Sequence, residues 1–287
     1  MNMNTIRVVS WNMAHRKQPW HELAAMKDVD VALLQETCRP PDCLPSHVEP
    51  ETAYLWAPWG KHYDRWPMVV KLSDRVKMER FERVFPFGSV GPHEMAVSGI
   101  GTIAIARITP SGGKPKPFLA VSMYARWIMP QQSVETNFRV GMADIAAHRI
   151  ISDLSMFIGA EDPGTHRILA AGDLNMWYGT DDVPACSLIA RDRTVWDRMR
   201  ALGLEFLGPQ YPDGRKADPV PGASETRNVV TYHTTGQTPE TANKQVDYVF
   251  ASKGFHKAVS VRTLNGVDEW GSSDHCRLLI EISNGPH

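Results

Sequence analysis

Two packed β-sheets in an α+β arrangement form the fold class that this sequence predicts, and three observations predict it. Many short apolar runs, rich in β-branched residues, recur along the 287 residues, the length and composition of buried strands. Only three stretches carry the 3.6-residue period of an amphipathic helix. No internal repeat, low-complexity tract or linker interrupts the chain, so residues 1–287 read as a single domain.

Taken in order, Ile6 to Trp11 is a short β-branched run bounded by polar residues, a buried strand. Trp20 to Lys27 places Trp20, Leu23, Ala24 and Met26 on a short helix. Val29 to Gln35 is a second strand, followed by Glu36-Thr37 and a proline-rich loop from Cys38 to Pro50. The segment Trp56 to Trp66 is dense in aromatics and reads equally as a substrate wall or as a loop packed on the core. Met68 to Leu72, Val76 to Val84 and Thr102 to Ile108 are expected to form one antiparallel meander. Ser111 to Pro117 connects it to a strand at Phe118 to Tyr124.

From Gln131 to Phe157 the pattern turns helical, with Phe138, Met142, Ile145, Ile151, Leu154 and Ile158 at steps of three and four. Pro163-Gly164 ends it, and Arg167 to Ala171 is a core strand. Ala185 to Leu202 is a further helix with Gly203 as its C-cap. Pro209 to Ala223 is a surface loop. Asn228 to His233, Val246 to Ala251, Ala258 to Thr263 and Arg277 to Ile282 complete the strands.

The composition is that of a globular protein, 43% hydrophobic and 22% charged, which is enough to bury a core without covalent staples. Lys and Arg total 31 against 32 Asp and Glu. That balance gives no general basic field and disfavours long duplex partners held by charge alone. Cys38, Cys43, Cys186 and Cys276 match no zinc spacing and read as reduced thiols. No run approaches the roughly 20 apolar residues of a membrane helix, and the N-terminus carries no signal-peptide core. The expected location is cytoplasmic.

The chemistry gathers at strand ends. Val8 to Asn12, Val31 to Glu36, Ile168 to Asn175 and Gln245 to Tyr248 each join an apolar run to a polar residue, and Asp274-His275 precedes the last strand. Strand ends are where a rigid scaffold can converge side chains on one point. Glu36 and Asp274 offer hard oxygens suited to magnesium, which uses few protein carboxylates and completes its shell with water and phosphate oxygens. Asp173 can orient or deprotonate an attacking water. Asn175, two residues on, can position water or phosphate. His275 can donate to a phosphate oxygen, and Asp247 is the candidate carboxylate to orient its ring. Each of these residues has an ordinary structural explanation singly; their recurrence at successive strand ends does not.

The stretches Val9-Ser10-Trp11-Asn12, Leu34-Gln35-Glu36-Thr37, Gly172-Asp173-Leu174-Asn175, Val246-Asp247-Tyr248 and Ser273-Asp274-His275 together resemble the endonuclease/exonuclease/phosphatase superfamily, the DNase I-like fold. They run in the family's order and span nearly the whole chain. The resemblance implies a four-layered α/β sandwich with two central mixed sheets flanked by helices. It implies phosphate-ester hydrolysis with Mg2+ or Mn2+, with Asn12, Glu36 and Asp274 at the metal, Asp173 at the water, Asn175 at the phosphate, and Asp247 paired with His275. Val121-Ser122-Met123-Tyr124-Ala125-Arg126 is similar to the exonuclease III-like branch, in which a tyrosine reaches the phosphate. Tyr124 therefore favours a nuclease with nucleic acid as partner. The alternative is a phosphatase acting on a phospholipid headgroup, nucleotide or protein-linked phosphate, a small phosphorylated substrate. Arg126, Trp127, Trp177 and Trp270 each sit in or beside a motif and are the candidate substrate-binding residues; for the tryptophans, core packing is the alternative. No aromatic immediately precedes Val246-Asp247, which argues against an abasic-sugar pocket of the family's type.

Overall fold

The structure is a computed structural model that describes residues 5–51, 65–84, 88–98, 102–113, 115–126, 143–159, 164–179, 188–220 and 225–283. The strands are β1 (Ile6–Asn12), β2 (Val31–Thr37), β3 (Trp66–Lys71), β4 (Val76–Arg80), β5 (Glu82–Val84), β6 (Glu94–Ala96), β7 (Ile103–Pro110), β8 (Phe118–Tyr124), β9 (Ile168–Asp173), β10 (Leu204–Gly208), β11 (Asp247–Ser252), β12 (Val259–Leu264) and β13 (Arg277–Ile282). The helices are α1 (Gln18–Ala25), α2 (Ala143–Leu154) and α3 (Leu188–Ala201).

One sheet has the order β12-β13-β1-β2-β3 and the other β10-β11-β9-β8-β7-β4, with β5 and β6 forming a separate small pair. Both large sheets are mixed: β1–β2 and β8–β9 are parallel and the other pairings antiparallel. Strand alternation builds the layers, because successive side chains point to opposite faces. Val8, Val31, Leu33 and Val69 of the first sheet meet Ala106, Ala120, Leu169, Ala171 and Val249 of the second in a core between the sheets. The opposite face of the first sheet, with Val9, Trp11 and Leu34, packs Trp20 and Leu23 of α1. The outer face of the second sheet, with Ile105, Val121, Ala170 and Phe250, packs α2 and α3. The result is the expected four-layered sandwich of two mixed sheets flanked by helices.

Helix α2 buries Ala146, Ala147, Ile150, Ile151 and Leu154. Its three large side chains each contribute about 1.5–3 kcal/mol of burial. The expected anchor Ile145 is only partly buried. The two alanines take the central positions instead and let the helix axis approach the sheet. The earlier part of the expected helix, residues 131–142, lies outside the described residues.

Three expectations are corrected. The predicted meander is divided between the sheets: β3 is an edge of the first, while β4 pairs with β7 at an edge of the second. The chain crosses at Ser73-Asp74-Arg75, where Ser73 Oγ donates to Asp30 Oδ1 and Arg75 pairs with Asp30. A short polar turn satisfied by a carboxylate that precedes another strand is invisible to hydrophobic periodicity. Val76 to Val84 is two strands broken at Phe81, because β4 pairs with β7 while β5 turns to β6. Asn228 to His233 forms only isolated bridges, through Val229 and Tyr232. Thr231 spends its hydroxyl on the backbone N–H groups of Val246 and Asp247 instead of leaving the segment to a regular ladder. Strand β10, which pairs with β11, was not anticipated from the sequence.

Candidate active site

One rim of the sandwich carries the polar ends of the inner-facing rows. In β9, Leu169 and Ala171 face the core between the sheets, and period two continues that row to Asp173. Asp173 pairs in register with Tyr124 of the parallel β8 and with Asp247 of the antiparallel β11. Three reactive side chains therefore stand in a row across adjacent strands. Asp247 opens β11 instead of closing it, and His275 precedes β13; the antiparallel direction of β11 brings its start to the rim where β9 ends. On the facing sheet, Val8 and Val31 continue in the same way to Asn12 and Gln35, which pair with each other.

Glu36 would fall on the wrong face by strict alternation. The β2–β3 register shifts between Leu34 and Thr37, and Glu36 adopts φ 47. Such an irregularity re-aims a side chain at a strand end. Its Oε1 accepts from the Tyr124 hydroxyl at 2.8 Å and from Asn12 Nδ2 at 3.4 Å, while Arg65 pairs with Oε2. A buried bridge holds the two sheets together beside it: Gln35 Nε2 donates to Ser122 Oγ at 2.9 Å, and Ser122 Oγ donates to Leu34 O at 2.6 Å.

Asp173 is 1% exposed. Its Oδ2 accepts from Asn12 Nδ2 and Asn175 Nδ2, both at 2.9 Å, and its Oδ1 accepts from the Asn175 N–H at 2.8 Å. Asn175 holds this position with φ 49. Burial raises the Asp173 carboxyl to about 7, with the nearby Asp247 charge adding to the rise and His275 and the amide donors opposing it. Gly172, just before it, has no room for a side chain: a Cβ there would lie 1.9 Å from the Met123 carbonyl oxygen.

His275, 5% exposed, pairs through Nδ1 with Oδ2 of Asp247, 2% exposed, at 2.9 Å. Burial alone would lower the imidazole. The charge and hydrogen bond of Asp247, with the charges of Asp173 and Asp274, overcome it and raise His275 to about 9. Nδ1 therefore donates, and the ring is an imidazolium at neutral pH. Its backbone is fixed as well: Trp11 Nε1 donates to His275 O at 3.0 Å and the His275 N–H donates to Ser273 Oγ at 3.2 Å. Ser273 Oγ also lies 2.6 Å from Asn12 O and 3.4 Å from Asp274 Oδ1, tying the last motif to the first.

These contacts link Asn12, Glu36, Tyr124, Asp173, Asn175, Asp247, Asp274 and His275 on one rim. Asn12 turns its amide nitrogen to the two carboxylates, and its oxygen accepts from the Ala14 N–H at 2.9 Å. Asn175 Nδ2 is likewise committed, to Asp173 and to Ala125 O. Among the described residues no group of three or more His, Cys, Asp or Glu side chains is close enough to hold a metal ion. Carboxylate oxygens such as those of Glu36 and Asp274 are the donor type that a hard dication takes, with water and substrate oxygens filling the rest of its shell.

Of the candidate substrate-binding residues, Trp177 lines a cavity of about 510 Å³ together with Asn175. Arg126 is exposed at the end of β8. Trp270 is 1% exposed, belongs to the core between the sheets and donates Nε1 to Ser273 O at 3.1 Å, the core-packing alternative for this residue. Trp127 and the aromatic stretch 56–63 lie outside the described residues. Cys38, Cys43 and Cys276 are free. No described helix is long and apolar enough to cross a membrane. Gln35 and Ser273 stood inside recognised motifs without an assigned role, and the hydrogen bonds that supply their roles run between distant strands. Arg65 had no local signal beyond the aromatic cluster around it.

The sequence profile of the Endonuclease/Exonuclease/phosphatase family matches residues 9–275. Curated protein sequences contain no match. Among solved structures, the endonuclease domain of TRAS1, a telomere-specific non-LTR retrotransposon, is 16% identical, with TM-score 0.59 over 97% of this chain and 98% of that one. The AP endonuclease LMAP from Leishmania major is 17% identical, with TM-score 0.59 over 98% and 88%. The 3'-5' exonuclease NExo from Neisseria meningitidis is 15% identical, with TM-score 0.54 over 97% and 100%. With the profile spanning all five motifs, the chain belongs to the endonuclease/exonuclease/phosphatase family, whose members hydrolyse phosphate esters.

Proposed function

We propose that this protein is a Mg2+- or Mn2+-dependent phosphodiesterase that cleaves nucleic acid as an endo- or exonuclease. The observation that carries the reading is the row of Tyr124, Asp173 and Asp247 across three paired strands, with His275 held 2.9 Å from Asp247. Asp173 is the base: three hydrogen bonds fix both of its oxygens, and a carboxyl near 7 can accept a proton from water at neutral pH. Asn12 and Asn175 hold it in place. His275 Nδ1 is committed to Asp247, and Nε2 has no protein partner among the described residues. Nε2–H is therefore the donor to a phosphoryl oxygen, and the imidazolium charge offsets the negative charge that grows there. Glu36 and Asp274 would hold the dication, which when bound supplies Lewis-acid stabilisation of the phosphoryl group. Tyr124 orients Glu36 through its hydroxyl.

Solved neighbours described as AP endonucleases and as a 3'-5' exonuclease support nucleic acid as the substrate class. The near-neutral charge favours the second reading, a phosphatase of a small phosphorylated compound. The deciding measurement is hydrolysis of plasmid and single-stranded DNA with magnesium, manganese or chelator, beside a panel of phosphomonoesters. Chelator-sensitive cleavage of DNA is expected. Turnover of a phosphomonoester with no cleavage of any DNA would replace the nuclease reading with the phosphatase.

A further inference from the structure

The cavity of about 510 Å³ that Trp177 lines begins beside the reacting groups. Asn175, whose amide clamps Asp173, is part of its wall. So is Tyr232, whose ring centroid lies 4.8 Å from that of His275. A group attached next to the scissile phosphate would enter this space, which has the size of an ordinary small-molecule site.

The lining is mostly apolar, through Met176, Trp177, Tyr232 and Val246, with one carboxylate that is not committed. Asp144, also in the wall, is held by a bidentate pair with Arg191. Asp192, one residue further along α3, accepts from the Trp177 N–H at 3.0 Å through Oδ2 only. Its Oδ1 has no partner among the described residues. A wholly apolar occupant would leave that oxygen desolvated and unpaired, which costs free energy. A flat occupant bearing an N–H donor would use the aromatic walls and satisfy the carboxylate together. Lys244, exposed and lining the same cavity, has no side-chain partner among the described residues and is available to an adjoining phosphate.

We propose that this cavity is a nucleobase subsite selective for bases with an exocyclic amine, and that Asp192 is its specificity-determining residue, accepting the amine while Trp177 and Tyr232 provide stacking surface. The proposal rests on the phosphodiesterase reading and adds the identity of the group beside the scissile bond. Adenine and cytosine present the amine; thymine presents a carbonyl oxygen at the corresponding place, an acceptor facing an acceptor.

The test compares single-stranded trinucleotides of adenine, cytosine and thymine as substrates at pH 8, where the Asp192 carboxyl is ionised. The wild-type protein should favour the adenine and cytosine substrates in kcat/KM by about tenfold, the scale of one buried hydrogen bond to a charged group. Asp192→Asn keeps an oxygen for the Trp177 N–H and gains an amide that can donate to thymine, so the preference should vanish or reverse. Calorimetric binding of deoxyadenosine and thymidine 5'-monophosphates to the wild-type protein reads the subsite without turnover or mutation, and the adenosine nucleotide should bind more tightly. Equal rates and equal binding across the bases, or a preference that survives Asp192→Asn, would overturn the subsite. Selective binding without hydrolysis of any trinucleotide would leave the subsite standing and remove the phosphodiesterase reading.

Discussion

Asp173 is the most tightly constrained carboxylate on the rim, with three donors on two oxygens and almost no solvent. Asp173→Asn keeps the volume and loses the basic site. The expected result is a fall in kcat of about 10²–10⁴-fold, the usual share of a positioned base, with an unchanged circular-dichroism spectrum; full activity in this variant would remove the role assigned to Asp173. Asp192 carries a different prediction. Burial raises its carboxyl from 3.8 to about 7, with the Asp144 charge adding to the rise. Between those values the folded chain binds more protons than the unfolded chain, so this group's contribution to stability falls as pH rises from about 4 to about 7. Asp192→Asn removes that cost. It should stabilise the protein by about 1 kcal/mol at pH 8, a figure discounted for partial solvent access, and by roughly half as much or less at pH 5. Urea denaturation at the two pH values checks this, and equal effects at both would show that the carboxyl is not shifted.

At the scale of elements, the β8–β9 pairing sets the geometry on which the chemistry depends. It is a parallel pair in which Met123 stands opposite Gly172, and the Met123 carbonyl oxygen occupies the place of a side chain. Gly172→Ala must push the strands apart and with them the Tyr124–Asp173 register. We expect a loss of about 3–5 kcal/mol in denaturant unfolding, at the severe end of single substitutions, and loss of activity even at temperatures where the variant remains folded. A wild-type denaturation midpoint would show that the strands have room. The irregularity at Glu36 is a second case: it costs regular pairing on β2 and turns a carboxylate toward Tyr124 and Asn12. Helices α2 and α3 carry the cavity side of the site, through Asp144 and Asp192.

For the whole molecule, the carboxylates proposed to hold a metal lie outside the apolar cores, while Tyr124 belongs to one of them. The core between the sheets and the two helix-facing cores are apolar and include neither Glu36 nor Asp274. Chelation should therefore abolish hydrolysis while lowering Tm by no more than about 3 °C, since a weakly held dication adds only RT ln(1 + [L]/Kd). Calorimetry with and without chelator checks this, and unfolding on chelation would assign the ion a structural role. The rim is formed by segments from Asn12 to His275, so truncation at either end removes site residues along with strands of the first sheet.

The residue types and their order were legible in the sequence, because an apolar run of strand length followed by a carboxylate, amide or imidazole is a local pattern. So were most strands, the helix α3 and the expectation of two packed sheets, since burial imposes a period on the chain. The division of the expected meander between two sheets was not legible, because a polar turn satisfied by Asp30 leaves no periodic trace. Neither was the difference among the tryptophans: Trp177 reaches a cavity and Trp270 fills a core, although one follows a motif by two residues and the other precedes a motif by three. Nor could local pattern show that Asn12 and Asn175 spend their amides on Asp173. Sequence by itself determined which chemical groups are available and at which strand ends they stand. Tertiary structure alone decided which of them meet and in what protonation state, since strand pairing, burial and charge proximity join residues hundreds of positions apart.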